Sequence, residues 1–261
     1  MSDLITSLTN EQVKRAYKLQ EKKYRDQWRL FLIEGRHLLN EALQSRFPLQ
    51  KVFYCPEKAG GEGDQKLLAE IKALNIEIVE ISRQVLEKIA FTETPQDWLA
   101  VAEIPRYEPG ENRRAVVFDR LQDPGNIGTI MRTGVAFDVC DYYFLPGTAD
   151  PYASKAVRAS QGAIFKACLY MPTHWEDLFA RMNKLAIPIW AADKRGDFTP
   201  EEVDWGKGFV LVFGREGGGL APEILQAVNK VRIPHGASTE SLNVAVAAGI
   251  LLYASSKTIL R

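Results

Sequence analysis

Three segments of the sequence combine polar side chains with turn-forming residues in patterns that could support chemistry. The first is FDRLQDPGNIGTIMRT (118–133), which contains Asn126 and Arg132. The second is FVLVFGREGGGLAPE (209–223), in which four glycines surround Glu216. The third is VRIPHGASTESLNVAVAAGILLYASS (231–256), which contains His235, Ser241 and Asn243. The first segment follows the apolar run AVVF, and the other two begin with short strand-like runs, so each set of polar groups is expected at the end of a buried strand.

The first segment predicts a helix that follows a tight turn. Asp-Pro-Gly-Asn is a strong turn sequence, and Asn126 is a residue type that caps helices. Arg132 is six positions later, which at about 100° per residue rotates it about 240° from Asn126 within one regular helix. The two side chains therefore converge only if Asn126 lies at or before the helix start. The alternative interpretation is a capped helix with Arg132 in an ordinary ion pair.

The second segment runs from a strand directly into glycines. Four glycines in six residues, 214–219, permit positive φ angles and the close approach of a ligand to the backbone. The position is the carboxyl end of a strand, where open α/β sheets bind ligands. The pattern is neither the dinucleotide fingerprint G-x-G-x-x-G nor a phosphate loop ending in Gly-Lys-Ser/Thr. A plain tight turn is the alternative.

The third segment places a polar loop before a small-residue, apolar helix that we expect to be buried. Ser241 and Asn243 either cap this helix or face a site built from the glycine loop. His235 is a candidate acid or base in the loop, or a surface histidine.

The elements that must position these residues divide at 103–114, EIPRYEPGENRR, a charged stretch with two prolines that reads as a linker. Before it, helical and extended segments alternate, which predicts a small α/β domain, with one helix over 10–26. After it, the runs AVVFD, YYFLPG, IPIWAAD, FVLVFG and VRIP are separated by segments long enough for helices, which predicts buried parallel strands with crossovers.

Composition excludes several protein classes. The chain has 261 residues, 46% hydrophobic and 25% charged, so disordered and collagen-like classes are excluded and a soluble globular protein is expected. Lys plus Arg equals Asp plus Glu at 33 each, so any nucleic-acid contact must come from a local patch. The three widely spaced cysteines fit neither a disulfide framework nor a zinc site. The longest apolar run, 244–254, is too short to cross a bilayer, and we expect a cytoplasmic protein without a metal.

A local basic patch is predicted near the start of the chain. Between residues 12 and 36, eight Lys or Arg residues are interleaved with Tyr17, Tyr24 and Trp28. Cations attract phosphates and aromatic rings stack on bases, so the segment is a candidate RNA surface. The alternative is a solvated amphipathic helix with its aromatic residues in the core. The predicted RNA-binding residues are Lys14, Lys18, Lys22, Arg25 and Arg36.

The three segments, in this order, resemble the SpoU family of RNA 2′-O-ribose methyltransferases, from Val116 to the end of the sequence. The segment ITSLTNEQVKRAYKLQEKKYRDQWRLFLIEGRHLLNEAL is similar to the family's substrate-binding domain, which is α/β and like ribosomal protein L30e. The resemblance implies an RNA-binding domain over 1–105 and a catalytic domain of the SPOUT superfamily over 106–261. Such a domain has a parallel sheet and a deep trefoil knot, a feature otherwise almost absent from proteins.

The resemblance also implies the cofactor, the partners and the site. S-adenosylmethionine is expected in the knot, held largely by backbone groups, and members are usually homodimers that take the first-segment arginine from one subunit and the cofactor from the other. The implied cofactor-binding residues are Gly214, Glu216, Gly217, Ile233, Leu242 and Asn243. The implied catalytic residues are Asn126, Arg132, Glu216, Ser241 and Asn243. Arg215 departs from the family pattern, where a smaller residue is expected.

The expected reaction is methylation of a ribose 2′-hydroxyl in structured RNA, with ribosomal RNA as the first candidate substrate and transfer RNA as the second. A guanidinium stays protonated in essentially every protein, so Arg132 is better suited to stabilise an oxyanion than to act as a base, although the sequence leaves both roles open. The alternative from another class is an RNA-binding or ribosome-assembly factor that has lost catalysis. A dehydrogenase is disfavoured because its phosphate-binding pattern is absent.

Overall fold

A computed structural model describes residues 4–57, 61–236 and 238–257. The chain divides into two compact units. The first contains the chain up to Arg106 together with Tyr152–Phe165, and the second contains Tyr107–Pro151 and the chain from Lys166. The two units differ from the predicted division mainly in the segment Tyr152–Phe165, which the sequence prediction assigned to the second domain. In the described ranges, every helix is too short or too polar to span a membrane.

Helices and strands alternate along most of the described chain. The helices are α1 (Glu11–Lys18), α2 (Lys22–Trp28), α3 (Arg36–Gln44), α4 (Glu62–Ala73), α5 (Arg83–Ile89), α6 (Pro124–Ala136), α7 (Ser154–Ser160), α8 (Trp175–Lys184), α9 (Pro222–Ala227) and α10 (Val244–Ser256). The strands are β1 (Leu30–Glu34), β2 (Leu49–Tyr54), β3 (Glu77–Glu80), β4 (Trp98–Glu103), β5 (Arg114–Asp119), β6 (Asp141–Phe144), β7 (Cys168–Tyr170), β8 (Ile189–Ala192), β9 (Phe209–Gly214) and β10 (Asn229–Val231).

The first unit is built on a four-stranded sheet in the order β1-β4-β2-β3. β4 pairs antiparallel with β1 and β2, whereas β2 and β3 are parallel. All five residues of β1 are buried, which requires cover on both faces of the sheet. Part of that cover comes from Tyr152–Phe165, because the Tyr152 ring lies 4.9 Å from Phe31 and the Phe165 ring lies 5.0 Å from Phe47. This packing accounts for the grouping of that segment with the first unit.

The single helix predicted over 10–26 is wrong, because α1 ends at Lys18 and α2 begins at Lys22. The break is stabilised by Arg25, whose guanidinium donates to the carbonyl oxygens of Leu19 at 2.8 Å and Gln20 at 2.7 Å. The Gln20 side chain in turn donates to the carbonyl oxygens of Ile89 and Ala90. These contacts to carbonyl groups at the ends of α1 and α5 fix the turn, and local sequence patterns do not reveal them.

The second unit is built on a six-stranded, entirely parallel sheet in the order β10-β8-β9-β5-β6-β7. The predicted α/β class, with a parallel sheet in one part and a smaller α/β unit in the other, is confirmed. β7 was not predicted because it has three residues, and the strand predicted over 231–234 ends instead at Val231. The trefoil knot stays a prediction from the family resemblance. Parallel strands place all their carboxyl ends at one edge, so the loops after β5, β8, β9 and β10 meet there.

Candidate functional site

A buried carboxylate at the end of β5 connects the first and second motif segments. Asp119 accepts hydrogen bonds from Arg120 Nε at 2.9 Å, Arg120 Nη2 at 3.0 Å and the Ala221 backbone N–H at 2.9 Å. The hydrogen bond and the charge of Asp119 raise the pKa of Arg120. The bond to Ala221 fixes the chain that follows the glycine loop. Asp119 is not among the residues predicted from the sequence, although a carboxylate at the carboxyl end of an apolar strand was the available signal.

Helix α6 begins at Pro124, and its N-cap is Asp123 rather than Asn126. The Asp123 side chain accepts a hydrogen bond from the Gly125 backbone N–H at 2.8 Å. Proline suits the first helical position because its fixed φ matches the helix and its missing N–H would be unpaired there. The prediction of Asn126 as the cap is therefore wrong, and its side chain, in the first helical turn, is left for other contacts.

A hydrogen-bonded network joins the three motif segments, and we call it the Glu216 network. Glu216 accepts hydrogen bonds from Asn126 Nδ2 at 3.0 Å and from the backbone N–H groups of Gln122 at 3.2 Å and Asp123 at 3.4 Å. Asn126 Oδ1 accepts a hydrogen bond from Asn243 Nδ2 at 3.3 Å. The structure thus brings together three of the side chains predicted to be catalytic, each from a different segment.

The Glu216 network favours the ionised form of its carboxylate. Partial burial by itself raises the pKa of Glu216, but the opposing hydrogen bonds together outweigh it. These bonds come from the Asn126 side chain, from the Glu216 backbone and from the backbone N–H groups of Gln122 and Asp123. As a result, the pKa of Glu216 is below its ordinary value, and the carboxylate is a charged anchor at neutral pH.

The other two predicted catalytic side chains lie outside the Glu216 network. Arg132 is exposed on α6 and makes no hydrogen bond or ion pair with any described residue. Because Asn126 lies inside the helix, the six-residue spacing points Arg132 away from it, which rules out convergence within one chain. The Ser241 hydroxyl is also exposed and has no partner in the described ranges.

The glycine loop is closed by backbone contacts. The backbone groups of Arg215 and Gly219 exchange hydrogen bonds at 3.1 Å and 2.8 Å. A Cβ atom at Gly214 would lie 2.5 Å from the carbonyl carbon of Gly219, so no side chain fits there. Gly217 and Gly219 have φ angles of +73° and +66°, which glycine adopts without strain. The expectation of positive φ angles is therefore confirmed within the loop, whereas the close approach of a ligand to the backbone stays a prediction.

A cavity of about 520 Å³ opens at the carboxyl ends of β8, β9 and β10. Its lining includes apolar groups from Phe213, Val231 and Ala247. It also includes all six residues predicted to bind the cofactor, which are Gly214, Glu216, Gly217, Ile233, Leu242 and Asn243.

Two backbone donors beside this cavity, which we call the motif cavity, are available to a ligand. The N–H groups of Ile233 and Leu242 donate to no other group in the described part of the chain. Apolar walls combined with such backbone donors fit a nucleoside-bearing ligand. The residues present therefore fit S-adenosylmethionine.

Charged residues of the motif cavity were only partly predicted. Lys194 and Arg195 follow β8 and line the cavity, and the signal for them was their position directly after the apolar run IPIWAAD. Arg195 Nε lies 3.5 Å from Asp193 Oδ1, whereas Arg215 forms no ion pair with any described residue. His235 is exposed, with Nδ1 2.8 Å from the Ile233 carbonyl oxygen.

Among residues 4–57, 61–236 and 238–257, no cluster of three or more His, Cys, Asp or Glu could hold a metal.

Helix α10 is capped by Asn243, whose Oδ1 accepts from the N–H groups of Ala245 at 2.8 Å and Val246 at 3.3 Å. Ser241 does not cap it. The helix packs against α6, but it also presents an apolar face to solvent. Val246, Ile250 and Tyr253 are 52%, 38% and 54% exposed. Their spacing of four and three residues places them on one stripe of the helix.

The predicted RNA-binding residues of the first unit differ in their availability. Lys14 and Lys22 are exposed and pair with Glu11 and Asp26, and Arg36 lies 3.5 Å from Asp64. Lys18 is exposed over the Tyr24 ring. Arg25 is only 5% exposed and bonds the carbonyl groups at the end of α1, so its assignment to RNA binding is corrected to a structural role. Tyr17 is 39% exposed and Tyr24 is half-buried, so neither is a core residue, whereas the half-buried Trp28 packs against the hydrophobic core of this unit.

Comparisons with known proteins match both units. Residues 113–253 match the SpoU rRNA Methylase family, and residues 10–100 match the MRM3-like substrate binding domain. The chain is 30% identical to the 23S rRNA (guanosine(2553)-2′-O)-methyltransferase RlmP of Bacillus subtilis, covering 95% of this chain and 97% of the relative. It is 28% identical to the 23S rRNA (uridine(2479)-2′-O)-methyltransferase of Streptomyces viridochromogenes, covering 85% and 81% of the two chains.

Among solved structures, an AdoMet-bound rRNA methyltransferase from Sinorhizobium meliloti superimposes with a TM-score of 0.85. The sequences are 30% identical, and the match covers 99% of each chain. The similarity therefore extends over both units and not only over the motif segments.

Proposed function

Since the chain belongs to the SpoU rRNA methylase family, we propose that it transfers a methyl group from S-adenosylmethionine to a ribose 2′-hydroxyl of structured RNA. The observation that carries this proposal is the Glu216 network, which holds one residue from each motif segment beside the motif cavity. A protein that kept the fold but lost the reaction would have no need for this intact set.

The motif cavity would hold the methyl donor. When bound, S-adenosylmethionine supplies an electrophilic methyl group on a sulfonium centre. The Gly214 backbone, where no side chain fits, would bind it through main-chain contacts, together with the N–H groups of Ile233 and Leu242, which have no acceptor among the described residues. The bound ligand in the Sinorhizobium meliloti relative supports this assignment.

The residues of this chain would then act on the ribose. Asn126, Glu216 and Asn243 satisfy one another, so they hold the glycine loop and α6 in place. The Arg132 guanidinium would stabilise the negative charge that develops on the 2′-oxygen as its proton passes to water. Ser241 lines the cavity, and its hydroxyl, which has no partner in the part of the chain that the structure describes, would bond the ribose or the cofactor.

Arg132 would act in the site of a second copy of the chain. Within its own chain it lies outside the Glu216 network and outside the lining of the motif cavity. The exposed stripe of Val246, Ile250 and Tyr253 lies on α10, which packs beside the helix that carries Arg132. Burying this stripe in a twofold dimer would remove apolar surface from water and bring each Arg132 to the other subunit.

The proposed substrate is ribosomal RNA, with transfer RNA as the second candidate. Two relatives are named for methylation of 23S rRNA, and they match 95% and 85% of this chain. The reaction is accordingly assigned to the cytoplasm.

The test is transfer of a labelled methyl group from S-adenosylmethionine to unmodified ribosomal RNA, followed by digestion to nucleosides and chromatography. We expect label in a 2′-O-methyl nucleoside. Label in a base would overturn the ribose assignment. No label in ribosomal or transfer RNA, with the cofactor still bound, would favour the assembly-factor alternative.

A mixing experiment tests the shared site. Arg132→Ala is expected to abolish transfer with unchanged cofactor affinity. Gly214→Ala is expected to bind the cofactor about 5- to 150-fold more weakly, so its own cavities stay largely empty at a cofactor concentration near the Kd of the unsubstituted protein. Randomly mixed dimers of the two variants contain about one half heterodimers, each with one complete site, so about a quarter of normal activity should return. An inactive mixture of folded, dimeric variants would contradict the shared site.

A further inference from the structure

Aromatic rings and cations form a cluster on the first unit, defined by Arg15, Lys18, Lys23, Tyr24 and Trp28. The two ring centroids are 5.0 Å apart. The Arg15 guanidinium lies 5.3 Å from the Trp28 centroid, and the Lys18 and Lys23 ammonium groups lie 5.2 Å and 5.7 Å from the Tyr24 centroid. The rings thus hold three cations in place through cation–π contacts.

The charge of this aromatic–cation cluster is not neutralised by ion pairing. None of its three cations is in a salt bridge with a described carboxylate, whereas the neighbouring Lys14 and Lys22 are paired with Glu11 and Asp26. Cations that are already held in place and have no ion pair lose little conformational entropy when they bind an anion. Several neighbouring cations of this kind can bind successive phosphates of a nucleic-acid backbone.

Arg15 also lines a second cavity, of about 190 Å³, between α1 and the sheet of the first unit. Liquid water takes about 30 Å³ per molecule, so the space equals about six waters and has room for one planar heterocycle. The cavity floor is apolar and consists of Leu19, Leu30, Phe53 and Val101. Its rim carries the side-chain amides of Gln12 and Gln50. Gln12 Oε1 accepts from Lys51 Nζ at 2.6 Å and Gln50 Nε2 donates to Glu103 at 3.3 Å, which leaves the Gln12 NH2 group as a donor and the Gln50 oxygen as an acceptor for a ligand.

We propose that this second cavity binds one unstacked nucleobase of the RNA substrate, while the aromatic–cation cluster binds the flanking phosphates. This inference rests on the proposed function for the presence of RNA. A base presents apolar faces and polar edges, which match the floor and the amide rim, and single-stranded segments are where bases are free to insert. The excess of unpaired cations beside the rim favours a polyanion as the occupant.

Two pairs of substitutions separate the phosphate contacts from the base contact. The cation variant, Arg15→Gln with Lys18→Gln, removes two cations. The control variant, Lys66→Gln with Lys72→Gln at exposed positions of α4, makes the same change in charge. The rim variant, Gln12→Ala with Gln50→Ala, removes the rim amides without changing the charge. The probes are a short single-stranded RNA of mixed sequence and an abasic oligomer with the same number of phosphates, titrated at several salt concentrations.

The unsubstituted protein should prefer the base-bearing RNA by at least about fivefold. The cation variant should bind both probes more weakly, with a slope of log affinity against log salt reduced by about 1.4, that is, about 0.7 for each lost phosphate contact. The rim variant should keep the slope and lose the preference for bases. The control variant should match the unsubstituted protein.

Equal binding of the two probes by the unsubstituted protein would overturn the base site, and an unchanged salt slope in the cation variant would overturn the phosphate contacts. Methylation assays with ribosomal RNA separate this inference from the proposed function. If the unsubstituted protein methylates RNA, we expect the cation variant to show a raised KM with little change in kcat. An unchanged KM in that variant would reject the site while leaving the proposed function intact.

Discussion

Replacing Gly214 with alanine tests whether the close backbone approach in the glycine loop shapes the motif cavity. A Cβ atom there would lie 2.5 Å from the Gly219 carbonyl carbon, 2.6 Å from the Gly219 oxygen and 2.6 Å from the Leu220 nitrogen. Real Cβ contacts essentially never fall below 3.0 Å. All three neighbours are backbone atoms, so no side chain can rotate away and the loop itself must move.

The required movement sets the magnitude of the effect. An ordinary contact begins at 3.4 Å, so the nearest pair must separate by 3.4 − 2.5 = 0.9 Å. Overpacking of this kind costs about 1–3 kcal/mol. If binding requires the loop in its original position, the same free energy is lost from cofactor affinity, which corresponds to a reduction of about 5- to 150-fold.

Gly218→Ala is the matched control in the same loop. Its Cβ would meet only the Arg215 side chain, at 3.6 Å, and Gly218 is not among the glycines with positive φ. We expect its stability to change by no more than about 0.5 kcal/mol and its cofactor affinity to stay the same. Urea denaturation and titration calorimetry with S-adenosylmethionine would measure both quantities. Equal affinities for the two variants would refute the argument that the Gly214 contact shapes the cavity.

Four further outcomes are expected. Gly217→Ala, at φ +73° with open space around it, should lose about 1–2 kcal/mol in urea denaturation through backbone strain, and no loss would contradict the observed φ. Asn243→Ala should lose about 1 kcal/mol of α10 capping, whereas Asn243→Asp should keep the cap but slow methyl transfer by losing its bond to Asn126. The pKa of Glu216 is lowered in the folded protein. The folding stability that the ionised carboxylate contributes is therefore complete above the unfolded-state pKa of about 4.3 and is lost as the pH falls through the folded-state pKa. The stability difference from Glu216→Gln, measured between about pH 7 and pH 3, should therefore shrink only at the acidic end. Ile250→Asp should yield a monomer in sedimentation at micromolar concentration, and an intact dimer would exclude the α10 stripe as its interface.

The central strands of the second unit could be predicted because burial on both faces leaves a continuous apolar signal. Residues 115–118 and 209–213 are fully buried in β5 and β9, and both runs end at turn-forming residues. Edge strand β7, with three residues, carries too short a signal to detect. The break between α1 and α2 depends on the buried Arg25, whose carbonyl partners are set by tertiary structure.

The residues that form the site could be predicted better than the hydrogen bonds that join them. Asn126 and Glu216 are 90 positions apart, and neither residue type nor spacing shows that one donates to the other. The predicted Asn126 cap failed for a local reason, since Asp123 and Pro124 offer a better helix start three residues earlier. Moving the cap to Asp123 also frees the Asn126 side chain for Glu216.

The hydrogen-bond partners divide the predicted catalytic residues into two groups. Asn126 uses both atoms of its amide, and Asn243 uses its oxygen on α10 and its nitrogen on Asn126, so these side chains have little capacity left for a substrate. Arg132 and Ser241 have no hydrogen-bond or ion-pair partner in the described ranges. This matters most for Arg132, because a long exposed cation is stabilised by a hydrogen bond to any carboxylate within its reach. A side chain kept free of internal partners can meet a substrate without first breaking a bond. We therefore propose that the Glu216 network positions the loop and helix α6, that Arg132 contacts the reacting ribose, and that Ser241 contacts the ribose or the cofactor.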